Sequence, residues 1–135
     1  MKAIVQRRYG SAQTLKLENL PGPSSIEFKP PNPDQVLIRV KATSLNAPDW
    51  RLLRGKPWIM RLSTGLTKPN SLIRGTDLAG TIEGLGSEVR GFSVGDDVYA
   101  DLADLGFGAW AEYVCVKADK LAIKPKNVSF TEAAA

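Results

Sequence analysis

Glycine and proline interrupt this chain so often that long helices have little room to form. The sequence contains 12 glycines and 9 prolines among its 135 residues, about a third more than the usual share of these two residue types. The densest cluster lies between Leu20 and Asp34, where proline excludes both helix interiors and regular strands. Its members are Pro21, Pro23, Pro30, Pro31 and Pro33. We therefore expect a surface loop over 20–34 and, at this length, one mostly β domain of short strands and turns.

Alternation of apolar and polar residues predicts where the strands lie. The clearest strand runs from Gln35 to Ser44, in which Val36, Ile38, Val40 and Ala42 share one face. Shorter strands are expected over 1–8, 15–18, 79–85, 98–100 and 109–116.

One helix is indicated in the first half of the chain. Pro48 suits the first turn of a helix over Asp49 to Arg54, which Gly55 would end. The segment 55–73 that follows has two prolines and scattered apolar residues. We expect it to be irregular.

A second helix is indicated at the end of the sequence. Ser129 and Glu132 form a capping box that leads into a run of alanines. Only one helical turn precedes Ala135, and one turn alone does not offset the cost of helix nucleation. We therefore expect this helix to be frayed or absent and the sequence to be interrupted there.

The sequence has no histidine and a single cysteine, Cys115, which excludes several classes of function. Ser-His-Asp hydrolysis, histidine-ligated zinc and a histidine pH switch all need an imidazole. A single cysteine closes no intrachain disulfide, so we expect a reducing, cytoplasmic location. The first residues carry charges and no long apolar run follows, so neither a signal peptide nor a membrane span is predicted.

Positive charge is in modest excess. The chain has 18 Lys and Arg residues against 14 Asp and Glu residues, a net charge of +4. These basic residues are spread along the chain, apart from a cluster from Lys117 to Lys126 that Asp119 interrupts. The basic stripe with interleaved aromatic residues that nucleic-acid binding uses is missing. We therefore expect neither a nucleic acid nor a membrane as a partner.

Four separated motifs follow one another in a familiar order. They are Asn46 to Asp49, Gly75 to Glu83, Val89 to Val98 and Gly108 to Val114. Together they resemble the medium-chain dehydrogenase/reductase superfamily over nearly the whole chain. The resemblance implies a GroES-like catalytic domain over 1–128, which is a partly open β-barrel with one or two short helices. It also implies that 129–135 starts the helix linking to a dinucleotide-binding domain, which this sequence lacks.

The resemblance also bears on zinc. Zinc-dependent members of the superfamily have a cysteine at the position of Asn46 and a His-Glu pair at Thr76 and Asp77. The lone Cys115 cannot build the structural zinc lobe of those members, because Zn²⁺ needs about four ligands. The chain therefore resembles the zinc-free quinone oxidoreductase-like branch. That branch implies reduction of quinones or α,β-unsaturated carbonyl compounds by NADPH, without a metal, in a full-length homodimer.

Much of the NADPH site is expected in the missing half. The glycines at 84, 86 and 91 do not have the spacing of a dinucleotide-binding fingerprint, and no helix is predicted after them. The domain alone is therefore expected to be inactive.

Three residues are the candidates for the site. Asn46 could orient the acceptor carbonyl, stabilise charge on its oxygen or bind the cofactor, or it could only cap the helix that starts near Pro48. Asp49 matches an acidic position of the family and is a second catalytic candidate, although a carboxylate in a first turn also stabilises a helix. Arg51 is a candidate cofactor contact that could meet a phosphate or an enolate, or could be solvated. Asp77 is expected to be a turn residue or an ion-pair partner, with Arg74 as the candidate cation.

Two alternatives lie outside catalysis. A GroES-like barrel could be a freestanding protein-interaction module, because fold alone does not fix function. It could also be a regulatory domain derived from a reductase, binding a partner through an exposed apolar surface. Trp50, Trp58 and Trp110 could line an acceptor pocket or could belong to the core.

Overall fold

Two antiparallel sheets form the frame of the protein. A computed structural model describes residues 1–22, 32–103 and 107–135, so most of the loop predicted over 20–34 lies outside the described residues. The smaller sheet pairs β1 (Lys2–Gln6) with β2 (Leu15–Asn19). The larger sheet has the strand order β6-β3-β4-β5-β7. Its strands are β3 (Gln35–Thr43), β4 (Asp77–Leu85), β5 (Asp97–Asp101), β6 (Tyr113–Lys117) and β7 (Ala122–Ile123).

Three short helices accompany the sheets. They are α1 (Ala47–Arg54), α2 (Arg61–Thr64) and α3 (Phe130–Ala133), and none of the helices in the described ranges is long and apolar enough to cross a membrane. The prediction of a mostly β fold with a few short helices is confirmed, and within the described residues the larger sheet is open rather than closed into a barrel.

Two expectations about helices are wrong. The segment 55–73 contains a 3₁₀ turn at Trp58–Met60 that continues into α2. The terminal helix is formed as well: the Ser129 N–H donates to the Glu132 carboxylate at 2.7 Å, and the Glu132 N–H donates to Ser129 Oγ at 3.2 Å. In addition, α3 packs against β3 and β4. These tertiary contacts offset the nucleation cost that made a single turn look unstable.

The core lies on the inner face of the larger sheet. On β3, Val36 and Ile38 are fully buried as the alternation predicts, and they pack with Leu78 and Ile82 of β4. Leu37 is buried as well, although strand alternation would expose it, and the register of β3 with β4 shifts between Leu37 and Ile38. The core continues through other elements with Val89, Val98, Ala100, Leu102, Ala109 and Val116.

The close approach of β3 and β4 depends on a glycine. A Cβ atom at Gly80 would overlap the backbone carbonyl of Arg39 and the side chain of Ile38. Glycine in a strand interior is a sign of such close packing.

The pairing of β3 with β4 also brings the candidate site together. Because the two strands are antiparallel, Thr43 at the end of β3 lies opposite Leu78 at the start of β4. The segment that follows β3 and the segment that precedes β4 are therefore neighbours in space. These are the segments that contain Asn46 and Thr76.

We predict that Ile38→Ala lowers the free energy of unfolding by about 2–5 kcal/mol, because it removes buried methyl groups and leaves a cavity at the centre of the sheet. The matched control is Ile123→Ala on β7, whose side chain is exposed and whose loss should change stability by less than about 1 kcal/mol. Urea unfolding of both variants measures the difference. Equal effects would mean that the core has been placed on the wrong face of the sheet.

Candidate active site

Asn46 is the residue that begins α1. It has an extended backbone, and its N–H donates to Oδ2 of Asp49 at 2.8 Å. The Asn46 side chain faces the backbone N–H of Asp49, which completes the reciprocal arrangement of a capping box. Pro48 lies in the first turn and Gly55 ends the helix in the left-handed conformation, with φ of 61°. Asn46 is thus a helix cap in this fold, and any part it has in catalysis stays a prediction.

The amide of Asn46 also links α1 to the start of β4. Its Nδ2 donates to Ser44 Oγ at 3.0 Å and to Asp77 Oδ2 at 2.5 Å. Because an ionised carboxylate only accepts hydrogen bonds, the amide nitrogen and not its oxygen must face Asp77. Thr76 Oγ1 donates to the same carboxylate oxygen at 2.5 Å. The expected pairing of Asp77 with Arg74 does not form, since the hydrogen bonds to the Asp77 side chain come from Asn46 and Thr76.

Asp49 is fully buried, with no side-chain exposure. Burial raises the pKa of its carboxyl group above the ordinary value, and the hydrogen bond from Asn46 opposes that rise. The charge of Asp77 raises the pKa of Asp49 further, whereas the charge of Arg74 lowers it. A carboxylate in this position has no direct access to a ligand, so its proposed contribution is to position Asn46.

Arg51 lies on the exposed face of α1. Its guanidinium is 5.8 Å from the ring centroid of Trp50, and Arg54 lies 5.5 Å from the same ring. Cations at such distances are attracted to the ring face. Contact of Arg51 with a cofactor stays a prediction.

The three tryptophans have different environments. Trp110 is buried, its Nε1–H donates to the Ser44 carbonyl at 3.3 Å, and its indole ring lies where a Cβ atom at Gly75 would be. Gly75 has φ of 94°, which favours glycine for a second reason. Trp50 and Trp58 are exposed. Trp110 is therefore a packing residue that fixes the segment before β4.

A cleft of about 480 Å³ opens between α1 and α2. Pro48 and Thr76, close in sequence to Asn46 and Asp77, line it, whereas Asn46 and Asp77 are not among its lining residues. Its volume is in the range of small-molecule sites, about 300–1,000 Å³. The lining is mostly apolar, with hydroxyl groups at three positions. The lining residues are Pro48, Leu52, Met60, Ser63, Thr64, Thr76, Ala103 and Phe107. Such a cleft is large enough for a flat organic molecule and offers it a mostly apolar surface.

Thr76 is a site residue that was not identified as a candidate from the sequence. It lines the cleft and bonds to Asp77, which holds Asn46. The available signal was the predicted antiparallel sheet, because strands that pair in this way bring the end of one to the start of the next. No group of three or more His, Cys, Asp or Glu side chains arranged to hold a metal ion occurs in the described part of the chain.

Comparison with known proteins shows the domain family of the chain and several similar proteins. Residues 32–126 match the family model of the alcohol dehydrogenase GroES-like domain. The chain is 38% identical to the 2-methylene-furan-3-one reductase of Solanum lycopersicum, over all of this chain and 34% of the relative. It is 37% identical to the chloroplastic NADPH-dependent alkenal/one oxidoreductase of Arabidopsis thaliana, over 99% of this chain and 33% of the relative. It thus spans about a third of the length of these curated relatives.

A solved structure shows the same fold. The quinone oxidoreductase from Coxiella burnetii superposes with a TM-score of 0.82 and is 32% identical in sequence. The match covers 99% of this chain and 40% of that structure.

We predict that Asn46→Asp lowers the free energy of unfolding by about 1–3 kcal/mol, because it replaces a hydrogen bond to a carboxylate by a contact between two carboxylates. The matched variant is the exchange Asn46→Asp with Asp77→Asn, in which the amide and the carboxylate change places. Thermal unfolding should show that the exchange recovers most of the loss. An exchange variant as unstable as Asn46→Asp would contradict the hydrogen bond described here.

Proposed function

The chain belongs to the alcohol dehydrogenase GroES-like domain family within the medium-chain dehydrogenase/reductase superfamily, and we propose that it is the catalytic domain of a zinc-independent reductase. The proposed substrates are quinones or α,β-unsaturated carbonyl compounds, and the proposed reductant is NADPH. Relatives named as an NADPH-dependent alkenal/one oxidoreductase and as quinone oxidoreductases support this choice.

The observation that carries the proposal is the link between Asn46 and Asp77. The family resemblance implies that zinc-dependent members of the superfamily have metal ligands in these two segments, at the position of Asn46 and at Thr76 and Asp77. Here an amide and a carboxylate bridge the same two segments by a hydrogen bond. This supports a site that is held together without zinc, in a chain that contains no histidine.

The cleft supports the binding of a flat, apolar acceptor beside a nicotinamide. NADPH supplies the hydride when it is bound. The apolar walls contributed by Pro48, Leu52 and Phe107 would exclude water and favour a planar ring. Thr76, whose hydroxyl proton is donated to Asp77, would accept a hydrogen bond from the cofactor through its hydroxyl oxygen. Asn46 would fix the positions of these groups and is the proposed catalytic and cofactor-binding residue. Arg51 is a proposed second contact to the cofactor.

The remaining parts of the proposal concern the complete protein. We propose that 1–128 is the catalytic domain and that 129–135 begins the link to a dinucleotide-binding domain. The catalytic domain alone would then lack reductase activity, and the complete protein would be a homodimer. A cytoplasmic location also stays a prediction, since several relatives carry "chloroplastic" or "chloroplast envelope" in their names.

We predict that the complete gene product oxidises NADPH in the presence of a naphthoquinone or a short alkenone, and that a chelator leaves the rate unchanged. Asn46→Ala should lower kcat/KM on the order of a hundredfold, because small displacements of bound groups have effects of this size. The loss of NADPH absorbance measures both. The control is Asn127→Ala, which changes an exposed asparagine and should leave the rate unchanged.

Two outcomes would contradict this proposal. Turnover that disappears with the chelator and returns with zinc would remove the zinc-independent mechanism. Rapid NADPH oxidation by the 135-residue chain alone would show that the cofactor site does not need a second domain.

A second candidate function is a protein-interaction module without catalysis. The observation that favours it is an apolar ridge formed by Trp58, Ile59, Leu62 and Leu66, whose side chains are 66–74% exposed. Ile59 and Leu62 are three positions apart in the continuous helical turns from Trp58 to Thr64, so they are neighbours on one face. Exposed apolar patches of this kind commonly mark interaction surfaces.

This second candidate predicts self-association through the apolar ridge. Light scattering on the chain should give a mass above the monomer value of 14.6 kDa, and Leu62→Glu should restore the monomer by placing a charge in the contact. The matched control is Leu17→Glu on β2, where the leucine is 70% exposed but lies outside the ridge. A monomer at all concentrations would contradict self-association through the ridge.

A further inference from the structure

Two buried ionisable side chains lie behind the cleft. Asp49 has 0% exposure and Arg74 has 1%. The salt bridges that the structure forms elsewhere in its described part are at the surface: Arg7–Glu18, Arg39–Glu83 and Lys117–Asp34. A buried charge has a much larger effect on stability than these pairs, because it has lost its hydration.

Both buried groups keep atoms without a hydrogen bond. Within the described residues, Oδ1 of Asp49 and both terminal nitrogens of Arg74 have no hydrogen-bond partner. Unsatisfied buried groups are rare in folded proteins and need an explanation. The guanidinium carbon of Arg74 lies 5.3 Å from the ring centroid of Phe107, which provides part of its environment. The backbone of Gly75, the next residue, forms a hydrogen bond with Asp49. Arg74 and Asp49 therefore belong to neighbouring segments, where opposite charges attract strongly because water is excluded.

Arg74 is fixed in place by a neutral side chain. Its Nε donates to Oε1 of Gln6 at 2.8 Å, and Nε2 of Gln6 donates in turn to the carbonyl of Leu53 at 2.8 Å. Gln6 is itself fully buried. Since Leu53 lies in the last turn of α1, this arrangement ties the guanidinium to the end of the helix whose first turn contains Asp49.

The two charges affect each other across this space. The charge of Arg74 lowers the pKa of Asp49, and the charge of Asp49 raises the pKa of Arg74, each against the larger opposing effect of burial. Two other titratable groups face the pair. Asp77 raises the pKa of Asp49 more than Arg74 lowers it, and Tyr9 raises the pKa of Arg74 more than Asp49 does. No salt bridge joins the pair, so the attraction acts without direct contact between the charged atoms.

We propose that Arg74 is the buried counter-charge of Asp49 and, through Asp49, a positioning residue for Asn46 at the cleft. The steps are physical contacts: Asp49 accepts the backbone N–H of Asn46, and Asn46 donates to Asp77. Without the guanidinium, the Asp49 carboxylate is an isolated buried charge that must take up a proton or move toward water. Either change weakens its bond to Asn46.

The test separates charge from volume at position 74. Arg74→Met keeps much of the apolar volume and removes the charge, whereas Arg74→Lys keeps the charge. We expect Arg74→Met to lower the melting temperature by about 10 °C, because it leaves an unpaired buried carboxylate. We expect Arg74→Lys to recover much of that loss. Arg39→Met, which removes an exposed arginine from a surface pair, is the control and should have little effect.

A spectroscopic signature reports the positioning itself. In a ¹H–¹⁵N spectrum, the backbone amide of Asn46 should move upfield in Arg74→Met, and its exchange with solvent should become at least about tenfold faster. Arg74→Lys should return both toward the wild-type values. If Arg74 contributed only packing, Arg74→Met would be less harmful than Arg74→Lys. This order is the reverse of the one we expect, and it would overturn the proposal.

The pH dependence gives an independent check. In Arg74→Met the pKa of Asp49 in the folded state is raised further, whereas its pKa in the unfolded state is unchanged. The folded state therefore binds a proton at a higher pH than the unfolded state does. Stability should therefore increase as the pH falls from about 7 to about 5, more steeply than in the wild type. Adding Asp49→Asn should remove this extra dependence.

The double variant also covers a failure to fold. The double variant Arg74→Met with Asp49→Asn buries no unpaired charge. Its loss of stability should therefore be smaller than the sum of the losses of the two single variants. Additive losses, or a double variant that fails to fold along with Arg74→Met, would overturn the coupling.

The importance of this coupling for hydride transfer rests on the proposed function, but none of these measurements depends on reductase activity. An inactive wild type would overturn the proposed function alone.

Discussion

The antiparallel pairing of β3 with β4 is the constraint on which the rest of the structure depends. It forms the centre of the larger sheet, and its close contact at Gly80 tolerates no side chain. The same pairing sets the end of one strand beside the start of the next. Residues that are about thirty positions apart in sequence, Asn46 and Asp77, therefore become hydrogen-bonded neighbours. The candidate site is a consequence of strand register, and the cleft lies where α1 leaves this junction.

The parts of the fold that follow local rules could be predicted from the sequence. The alternation in β3 identified Val36 and Ile38 as core residues, and Pro48 with Gly55 marked the limits of α1. The segment 55–73 could not be predicted, because its apolar residues have no clear period and α2 is only one turn long. The terminal helix could not be judged correctly either. Its stability comes from contact with β3 and β4, which nucleation energetics alone does not include.

Only part of the candidate site could be predicted from the sequence. Asn46 and Asp49 stand close together in one motif, so their capping arrangement can be anticipated from helix rules. The partners of Asp77 cannot, because its two donors come from different segments. Arg74 was the obvious cation for Asp77 by proximity along the chain. Its guanidinium instead points into the interior toward Gln6, and the chain turns between Arg74 and Asp77 at Gly75, whose φ is 94°.

Under the proposed function, a site without a metal must stabilise negative charge by dipoles. The start of α1 lies at the cleft, where Pro48 lines the wall, and a helix N-terminus has a positive potential equivalent to about half an elementary charge. An ionised Asp49 in the first turn would cancel much of that potential. A guanidinium buried behind the carboxylate counters its charge and leaves the dipole available to an acceptor oxygen. Under the proposed function, Arg74 therefore supplies a positive charge that offsets the charge of Asp49. The hydrogen bond between Asn46 and Asp77 supplies no positive charge.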